Sequence, residues 1–195
     1  MVIKAAYPWA NNAELIADVH RLGYIGEQVL DTTYGLGRFW TEYRPKYLVE
    51  NDAHPDRGAI HHDFTSFPDD WGDRFDTTVY DPPYKLNGTP TLGKMDEDYG
   101  VENYTKVGAK IDLILNGAIE ALRVTKPGGT LLVKIQDQVS SGRMYFLSDM
   151  IRDKLHGAKK IAVFHLLTNP RPQPPGRSQK HARNNYSTLL VFRKY

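Results

Sequence analysis

The chain of 195 residues is 41% hydrophobic and 25% charged, with a formal net charge of +2. Its length predicts one domain over residues 1–195 with a hydrophobic core of its own. The sequence contains no cysteine, which excludes disulfides and thiolate-bound zinc, and no apolar run approaches the roughly 18 residues of a membrane span. Because the first residues also lack the apolar core of a signal peptide, we expect a cytoplasmic protein.

Apolar residues recur alternately at strand and helix spacing along the chain. In chain order they predict a helix over residues 11–22, strands over residues 27–31, 46–50, 59–62 and 75–80, a helix over residues 109–124, a strand over residues 130–135, a helix over residues 144–155, and strands over residues 161–166 and 188–192. The Lys-Pro-Gly-Gly sequence of residues 126–129 predicts a turn. Seven strands alternating with helices indicate an α/β fold, with a mostly parallel sheet covered by helices on both faces.

Four of the predicted strands end in or just before an aspartate: Asp31, Asp52, Asp63 and Asp81. In open α/β sheets, ligands bind in the crevice at the carboxyl ends of the strands. We therefore expect these carboxylates to converge on one rim of the sheet, where a ligand would bind.

A glycine-punctuated loop follows the first strand, with Gly35 and Gly37 placed to let the backbone approach a ligand. The loop departs from the dinucleotide-binding pattern because Trp40 occupies the third glycine position. Residues 38–43 are predicted to begin a helix whose N-terminus faces the ligand. A simple turn is the alternative interpretation of this loop.

Three further residues suit a nucleoside. Asp52 lies about twenty residues beyond Asp31, where a carboxylate can accept both hydrogens of a ribose diol. Asp63 offers an acceptor for an adenine amine, and Phe64 offers an apolar surface against its ring.

The sequence Asp81-Pro82-Pro83-Tyr84 follows the strand over residues 75–80 and carries the most specific chemistry. A hydrogen bond from a base amine to Asp81, with another to the carbonyl of Pro82, would draw the flat nitrogen toward tetrahedral geometry. The two prolines stiffen the loop, and Tyr84 gives a face on which a planar base can stack. The alternative is an ordinary turn at the end of a strand.

Together these motifs resemble those of class I S-adenosylmethionine-dependent methyltransferases, more narrowly the Asp-Pro-Pro-Tyr amino-methyltransferases that modify adenine N6 or cytosine N4 in DNA. The resemblance covers roughly residues 5–135 and returns in the last two strands. It implies a Rossmann-like, seven-stranded, mostly parallel sheet whose last strand is antiparallel. It also implies S-adenosylmethionine as the cofactor.

The resemblance also implies roles for individual residues. Those expected to bind the cofactor are Pro8, Asp31, Thr32, Gly35, Gly37, Asp52, Asp63 and Phe64. Pro8 and its neighbours would close over the methionine end, which Asp31 and the glycine loop border. Asp52 would hold the ribose, with Glu50 as its rival, and Asp63 the adenine.

Two segments are candidates for substrate contact. Residues 85–106, which follow the motif, form either a lid over the substrate or a disordered strap. Residues 169–186 are rich in proline and contain no acid, and their cations are Arg171, Arg177, Lys180 and Arg183. This second segment is interpreted as a phosphate-binding strap, against the alternative of a solvated connection between strands.

We therefore expect an enzyme that methylates an exocyclic base amine, with adenine N6 in DNA favoured. The alternatives are an RNA base amine (adenine N6 or guanine N2), a protein glutamine amide, which Asp81 in place of the usual Asn disfavours, and, from another class, a catalytically silent nucleic-acid-binding subunit. Without a separate target-recognition domain, sequence specificity would come from short loops or a protein partner. No metal is expected, because His61 and His62 are adjacent on a strand and point opposite ways.

Neutralising Arg177 and Lys180 together should weaken nucleic-acid binding across sequences and flatten its salt dependence, because phosphate contacts release counterions. Binding titrations at several salt concentrations measure this. An unchanged salt slope would exclude this segment as the phosphate contact.

Overall fold

The protein is described from a computed structural model covering residues 9–86, 106–167 and 184–195. Within these ranges the elements are α1 (Asn12–Arg21), β1 (Gln28–Asp31), β2 (Tyr47–Glu50), β3 (Phe75–Tyr80), α2 (Val107–Val124), β4 (Thr125–Ile135), β5 (Gln138–Ser140), β6 (Arg143–Tyr145), α3 (Leu147–Lys154), β7 (Ala158–Leu167) and β8 (Tyr186–Lys194). Short 3₁₀ turns occur at Arg38–Trp40 and Asp69–Trp71.

The main sheet has the strand order β2-β1-β3-β4-β8-β7. The first four of these strands pair in parallel, whereas β8 runs antiparallel to both β4 and β7. The predicted α/β fold class, a mostly parallel Rossmann-like sheet whose last strand is antiparallel, is therefore confirmed.

The described residues give this sheet six strands rather than the predicted seven. Residues 59–62 contribute only one parallel bridge, between Asn51 and Ile60. The amide groups of Ala59 and Ile60 both donate to the carbonyl of Glu50, at 2.8 and 3.1 Å. Gly58, at a φ of 67°, makes the tight turn that this requires. The segment therefore meets only the end of β2, through this single bridge, and does not extend as a seventh strand.

Helices cover both faces of the sheet, because alternate residues of the central strands point to opposite sides. One face packs Leu131, Val133, Ile135, Leu190 and Phe192 against α2 and α3, through residues that include Ile114, Ala118 and Ile151. The other face packs Leu132, Leu189 and Val191 against α1 and the Arg38–Trp40 turn, through residues that include Leu15, Val19 and Trp40. No helix in the described ranges is long and apolar enough to cross a membrane.

Three predicted boundaries differ from the structure. Residues 38–43 form the Arg38–Trp40 3₁₀ turn instead of a helix, and Pro45 disfavours helical backbone just beyond it. The helix predicted from residue 144 begins at Leu147, because β5 and β6 form a hairpin over the preceding residues. Residues 126–129 bulge out of β4 rather than preceding it.

Gly117 on α2 is expected to be intolerant of a side chain. An added Cβ would meet Tyr80 Oη and would lie 2.7 Å from Phe64 Cδ2. Tyr80 cannot yield easily, because it is fully buried and donates to the carbonyl of Ile114 at 3.1 Å. Gly117→Ala should therefore lower the free energy of unfolding by about 1–3 kcal/mol.

Gly108, on the first turn of the same helix, is the matched control, since an added Cβ there meets nothing within 4 Å. Gly108→Ala should leave stability unchanged or raise it by up to about 1 kcal/mol. Denaturant unfolding of both variants measures the contrast, and equal effects would refute this account of the packing.

Candidate active site

The ends of β1 and β3 border a crevice at the switch point of the sheet. β1 lies between β2 and β3, so the chain leaves β1 toward one side and later returns on the other. The crevice opens into a cleft of about 370 Å³ whose wall includes Asp31, Gly35, Arg38, Asp81, Tyr84 and Lys134. This volume lies within the roughly 300–1,000 Å³ typical of small-molecule sites.

Asp31, the last residue of β1, is 3% exposed. Its Oδ1 accepts from the amide of Thr33 at 3.1 Å, and its Oδ2 accepts from Trp40 Nε1 at 2.7 Å. Burial raises the pKa of this carboxyl to about 7; the two hydrogen bonds oppose the rise, and the nearby Asp81 and Asp52 carboxylates add to it. Trp40, at the position of the missing third glycine, therefore fixes the acid at the floor of the cleft.

Asp52 accepts a backbone hydrogen bond from the glycine loop. Its Oδ2 accepts from the amide of Gly35 at 2.7 Å, and its Oδ1 accepts from the amide of His54 at 2.9 Å. Gly35 and Gly37 both adopt left-handed φ values, 59° and 66°. The rival acid, Glu50, is paired with the guanidinium of Arg44. Both candidates for holding a ribose therefore already bind donors of the protein.

Asp81 differs from the other carboxylates of the rim. Its Oδ2 lies 3.7 Å from Lys134 Nζ. Its Oδ1 is buried and has no hydrogen-bond partner among the described residues. Burial raises the pKa of this carboxyl, and the positive charge of Lys134 opposes the rise. The backbone beneath it is fixed, because the Asp81 amide donates to Thr33 Oγ1 at 2.9 Å.

The rest of the motif lies beside this carboxylate. Pro82 is buried, whereas Pro83 and Tyr84 are half-buried. Tyr84 lines the cleft together with Asp81. The structure therefore brings an acceptor and an aromatic ring to one cavity.

The remaining predicted cofactor residues lie outside the cleft wall of the described chain. Thr32 is buried, and its hydroxyl donates to the carbonyl of Val79 at 3.0 Å, linking β1 to β3. Asp63 is exposed and accepts from the amide of Thr65 at 2.8 Å. Phe64 packs against Tyr80, with ring centroids 5.6 Å apart.

Several predicted residues lie outside the described ranges. They are Pro8 and the four cations Arg171, Arg177, Lys180 and Arg183, together with residues 87–105 of the proposed lid.

Lys134, Arg38 and Arg57 also line the cleft, although their sequence positions did not predict a role for them. For Lys134 a signal existed, since a charge inside the apolar run of residues 131–135 requires a partner. The two arginines carried no such signal, because single arginines in loops are ordinary surface residues.

The two adjacent histidines make separate contacts. His61 Nδ1 lies 3.0 Å from the carbonyl of Asp52, whereas His62 meets the edges of Phe67 and Trp71. In the part of the chain that the structure describes, no group of three or more acids and histidines is placed to hold a metal ion.

Comparisons with known proteins show which solved structures share this fold. No family model matches the sequence, and no curated protein matches it. Among solved structures, the N-methyltransferase NodS of Bradyrhizobium japonicum is 12% identical, with a TM-score of 0.56 over 93% of both chains. The chain therefore has a Rossmann-like fold that also occurs in methyltransferases.

Two other solved structures match a smaller share of this chain. The protein TTHA0409 of Thermus thermophilus, in complex with S-adenosyl-L-methionine, is 23% identical over 67% of this chain and 51% of that one, with a TM-score of 0.43. The cytosine-N4-specific PvuII DNA methyltransferase is 15% identical over 68% of this chain and 45% of that one, with a TM-score of 0.44. The chain thus spans about half the length of these two proteins.

The raised pKa of Asp31 predicts that the free energy of unfolding depends on pH. Between pH 4 and 7 the folded protein keeps a proton on Asp31 that the unfolded chain has already lost, since this carboxyl has a pKa of about 7 when folded and an ordinary one when unfolded. The contribution of Asp31 to stability therefore falls as the pH rises through this window, at up to about 1.4 kcal/mol per pH unit.

Asp31→Asn carries no titrating group and removes this dependence. The stability of the wild type relative to the variant should decline from pH 4 to 7 and level off above it. Urea unfolding of both proteins across this range measures the difference, and a flat difference curve would mean that Asp31 titrates normally.

Proposed function

We propose that the protein transfers a methyl group from S-adenosylmethionine to the exocyclic amine of a nucleobase, with adenine N6 in DNA as the substrate. The observation that carries the proposal is the Oδ1 atom of Asp81, which is buried at the cleft without a hydrogen-bond partner among the described residues. A buried carboxylate oxygen left in this way calls for a donor from a ligand.

An amine N–H is a suitable donor for this oxygen. The lone pair of a base amine is delocalised into the ring, which makes the nitrogen a weak nucleophile. A hydrogen bond to Asp81 draws the nitrogen toward tetrahedral geometry and holds it in line for attack. Alignment of this kind can supply a large part of a rate enhancement.

Tyr84 supports a planar substrate. Its ring lines the same cleft as Asp81, and stacking of a base on an aromatic ring contributes about 1–3 kcal/mol. In a duplex the base would have to leave the helix to reach this cavity.

The cleft also suits the cofactor. S-adenosylmethionine, when bound, supplies an electrophilic methyl group on a cationic sulfonium. Asp31, buried at the cleft floor, would face that cation, and the Gly35 backbone would border it.

Asp52 and Asp63 stay candidates for the ribose and the adenine of the cofactor. Each already accepts hydrogen bonds from the protein, but a carboxylate has about four lone-pair sites and can accept more. The choice of adenine N6 in DNA rests on the resemblance of Asp81–Tyr84 to the DNA amino-methyltransferase motif. The cations at positions 171, 177, 180 and 183 would contact phosphates.

The test is transfer of labelled methyl from S-adenosylmethionine to DNA and RNA in parallel, followed by nucleoside digestion and mass spectrometry. N6-methyladenine in the DNA pool is the expected product. A methylated base in the RNA pool alone would move the substrate to RNA. Cofactor binding without label in either pool would favour a catalytically silent subunit.

Asp81→Ala should lower transfer about 100-fold or more while cofactor binding persists, because the amine loses its acceptor but the rest of the cleft is intact. Asp153→Ala is the control, since this acid is 68% exposed on α3, and it should transfer normally. Normal turnover by Asp81→Ala would refute the proposed reaction.

A further inference from the structure

We propose that Lys134 is a positioning residue, which holds the Asp81 carboxylate by its Oδ2 and so leaves Oδ1 to accept a hydrogen bond from the substrate amine. The role in the reaction rests on the proposed function. The arrangement of the two side chains is a separate property of the fold and can be tested by itself.

Lys134 is a buried charged residue on the cleft wall. Its side chain is 8% exposed, and its neighbours in β4, Val133 and Ile135, are fully buried. A buried ammonium is costly unless an opposite charge lies close by. Asp81, 3.7 Å away across the β3–β4 edge of the cleft, supplies that charge.

The contact involves one oxygen of the carboxylate. Lys134 Nζ is closest to Oδ2, whereas Oδ1 has no partner in the described residues. A lysine ammonium is a compact point charge, in contrast to the two-pronged guanidinium of arginine, which binds both oxygens of a carboxylate. A lysine at this position can therefore hold the acid without occupying the oxygen that faces a ligand.

The same ammonium reaches two aromatic rings. Its Nζ lies 5.6 Å from the centroid of Tyr84 and 5.8 Å from that of Phe39, within the range of cation–π attraction. Lys134 therefore contacts both functional groups of the motif, Asp81 and Tyr84, and links them to the turn that contains Phe39. A change at Lys134 would move the acceptor and the stacking surface together.

Burial and a neighbouring carboxylate oppose the ionisation of Asp81, whereas Lys134 favours it. Asp31 faces it from the end of β1 and opposes a second negative charge, and burial also raises the pKa of Asp81. The Tyr80 phenol lies within electrostatic reach, and Arg38 and Arg57 stand elsewhere on the cleft wall. Of these groups, Lys134 is the one that lowers the pKa of Asp81 through direct pairing.

The experiment follows the Asp81 carboxyl by ¹³C NMR of protein labelled at aspartate, with the signal assigned from Asp81→Asn. In Lys134→Met, where methionine keeps the apolar stem, the titration midpoint of Asp81 should rise by about one pH unit or more. Lys126→Met is the matched control. Lys126 lies in the bulge of β4 and pairs at 2.9 Å with Asp76, the second residue of β3. It lines a second cavity rather than the cleft. The control variant should leave the Asp81 midpoint unchanged.

The Lys134→Arg variant distinguishes the effect of the positive charge from the effect of its placement beside one carboxylate oxygen. Its positive charge should keep the Asp81 midpoint near that of the wild type. Its guanidinium should engage both oxygens and lower the rate of transfer at saturating substrate at least tenfold. Thermal unfolding of each variant confirms that a folded protein is measured.

An unchanged Asp81 midpoint in folded Lys134→Met would overturn the inference, as would wild-type transfer by Lys134→Arg. Failure of the proposed function has a different signature. The wild type would then transfer no methyl to any nucleic acid, although the Asp81 midpoint still depends on Lys134.

Discussion

Three carboxylates meet at the crevice of the sheet, and each must find hydrogen-bond donors or an opposite charge in a place that water reaches poorly. Asp31 binds Thr33 and Trp40 with its two oxygens, and Asp52 binds His54 and Gly35 with its own. Buried acids without such partners would be unstable. The shape of the crevice therefore depends on which donors the surrounding loops bring to these acids.

The loops around the crevice follow from this requirement. The glycine loop turns so that the Gly35 amide reaches Asp52. The Arg38–Trp40 turn places an indole N–H on Asp31 instead of continuing as a helix. Asn51, which is fully buried, donates to the carbonyls of Thr32 and His62 and ties the end of β2 to both neighbouring loops. Hydrogen bonds to buried polar groups thus contribute to the geometry at this end of the sheet.

Much of the fold could be predicted from the sequence, because its signals are local. The strand over residues 75–80 has the predicted bounds, and Asn11 caps α1 by accepting from the amide of Glu14 at 3.0 Å. Apolar residues repeat every two positions in a strand and every 3.6 in a helix. Both patterns can therefore be recognised from neighbouring residues without knowledge of the tertiary structure. The order of the acids along the chain likewise placed Asp31 and Asp81 on one rim.

What the sequence could not provide were contacts between distant segments. Lys134 and Asp81 are far apart in the chain, and their pairing depends on β3 lying beside β4. The prediction of a strand over residues 59–62 is wrong for the same reason. Two amides of this segment donate to the carbonyl of Glu50, a contact that the periodicity of apolar residues cannot reveal. Similarly, the predicted role of Asp52 did not anticipate that its two oxygens already hold the amides of Gly35 and His54.

Burial raises the pKa of both Asp31 and Asp81, but the donors around these two acids differ. Asp31 has neutral donors only, and its pKa is raised to about 7. Asp81 has an ammonium beside it, which favours the ionised form. A cationic ligand entering beside Asp31 would favour its ionised form. Each carboxylate would then be balanced by one cation, the ligand for Asp31 and Lys134 for Asp81, and Asp81 Oδ1 would stay available to a neutral amine.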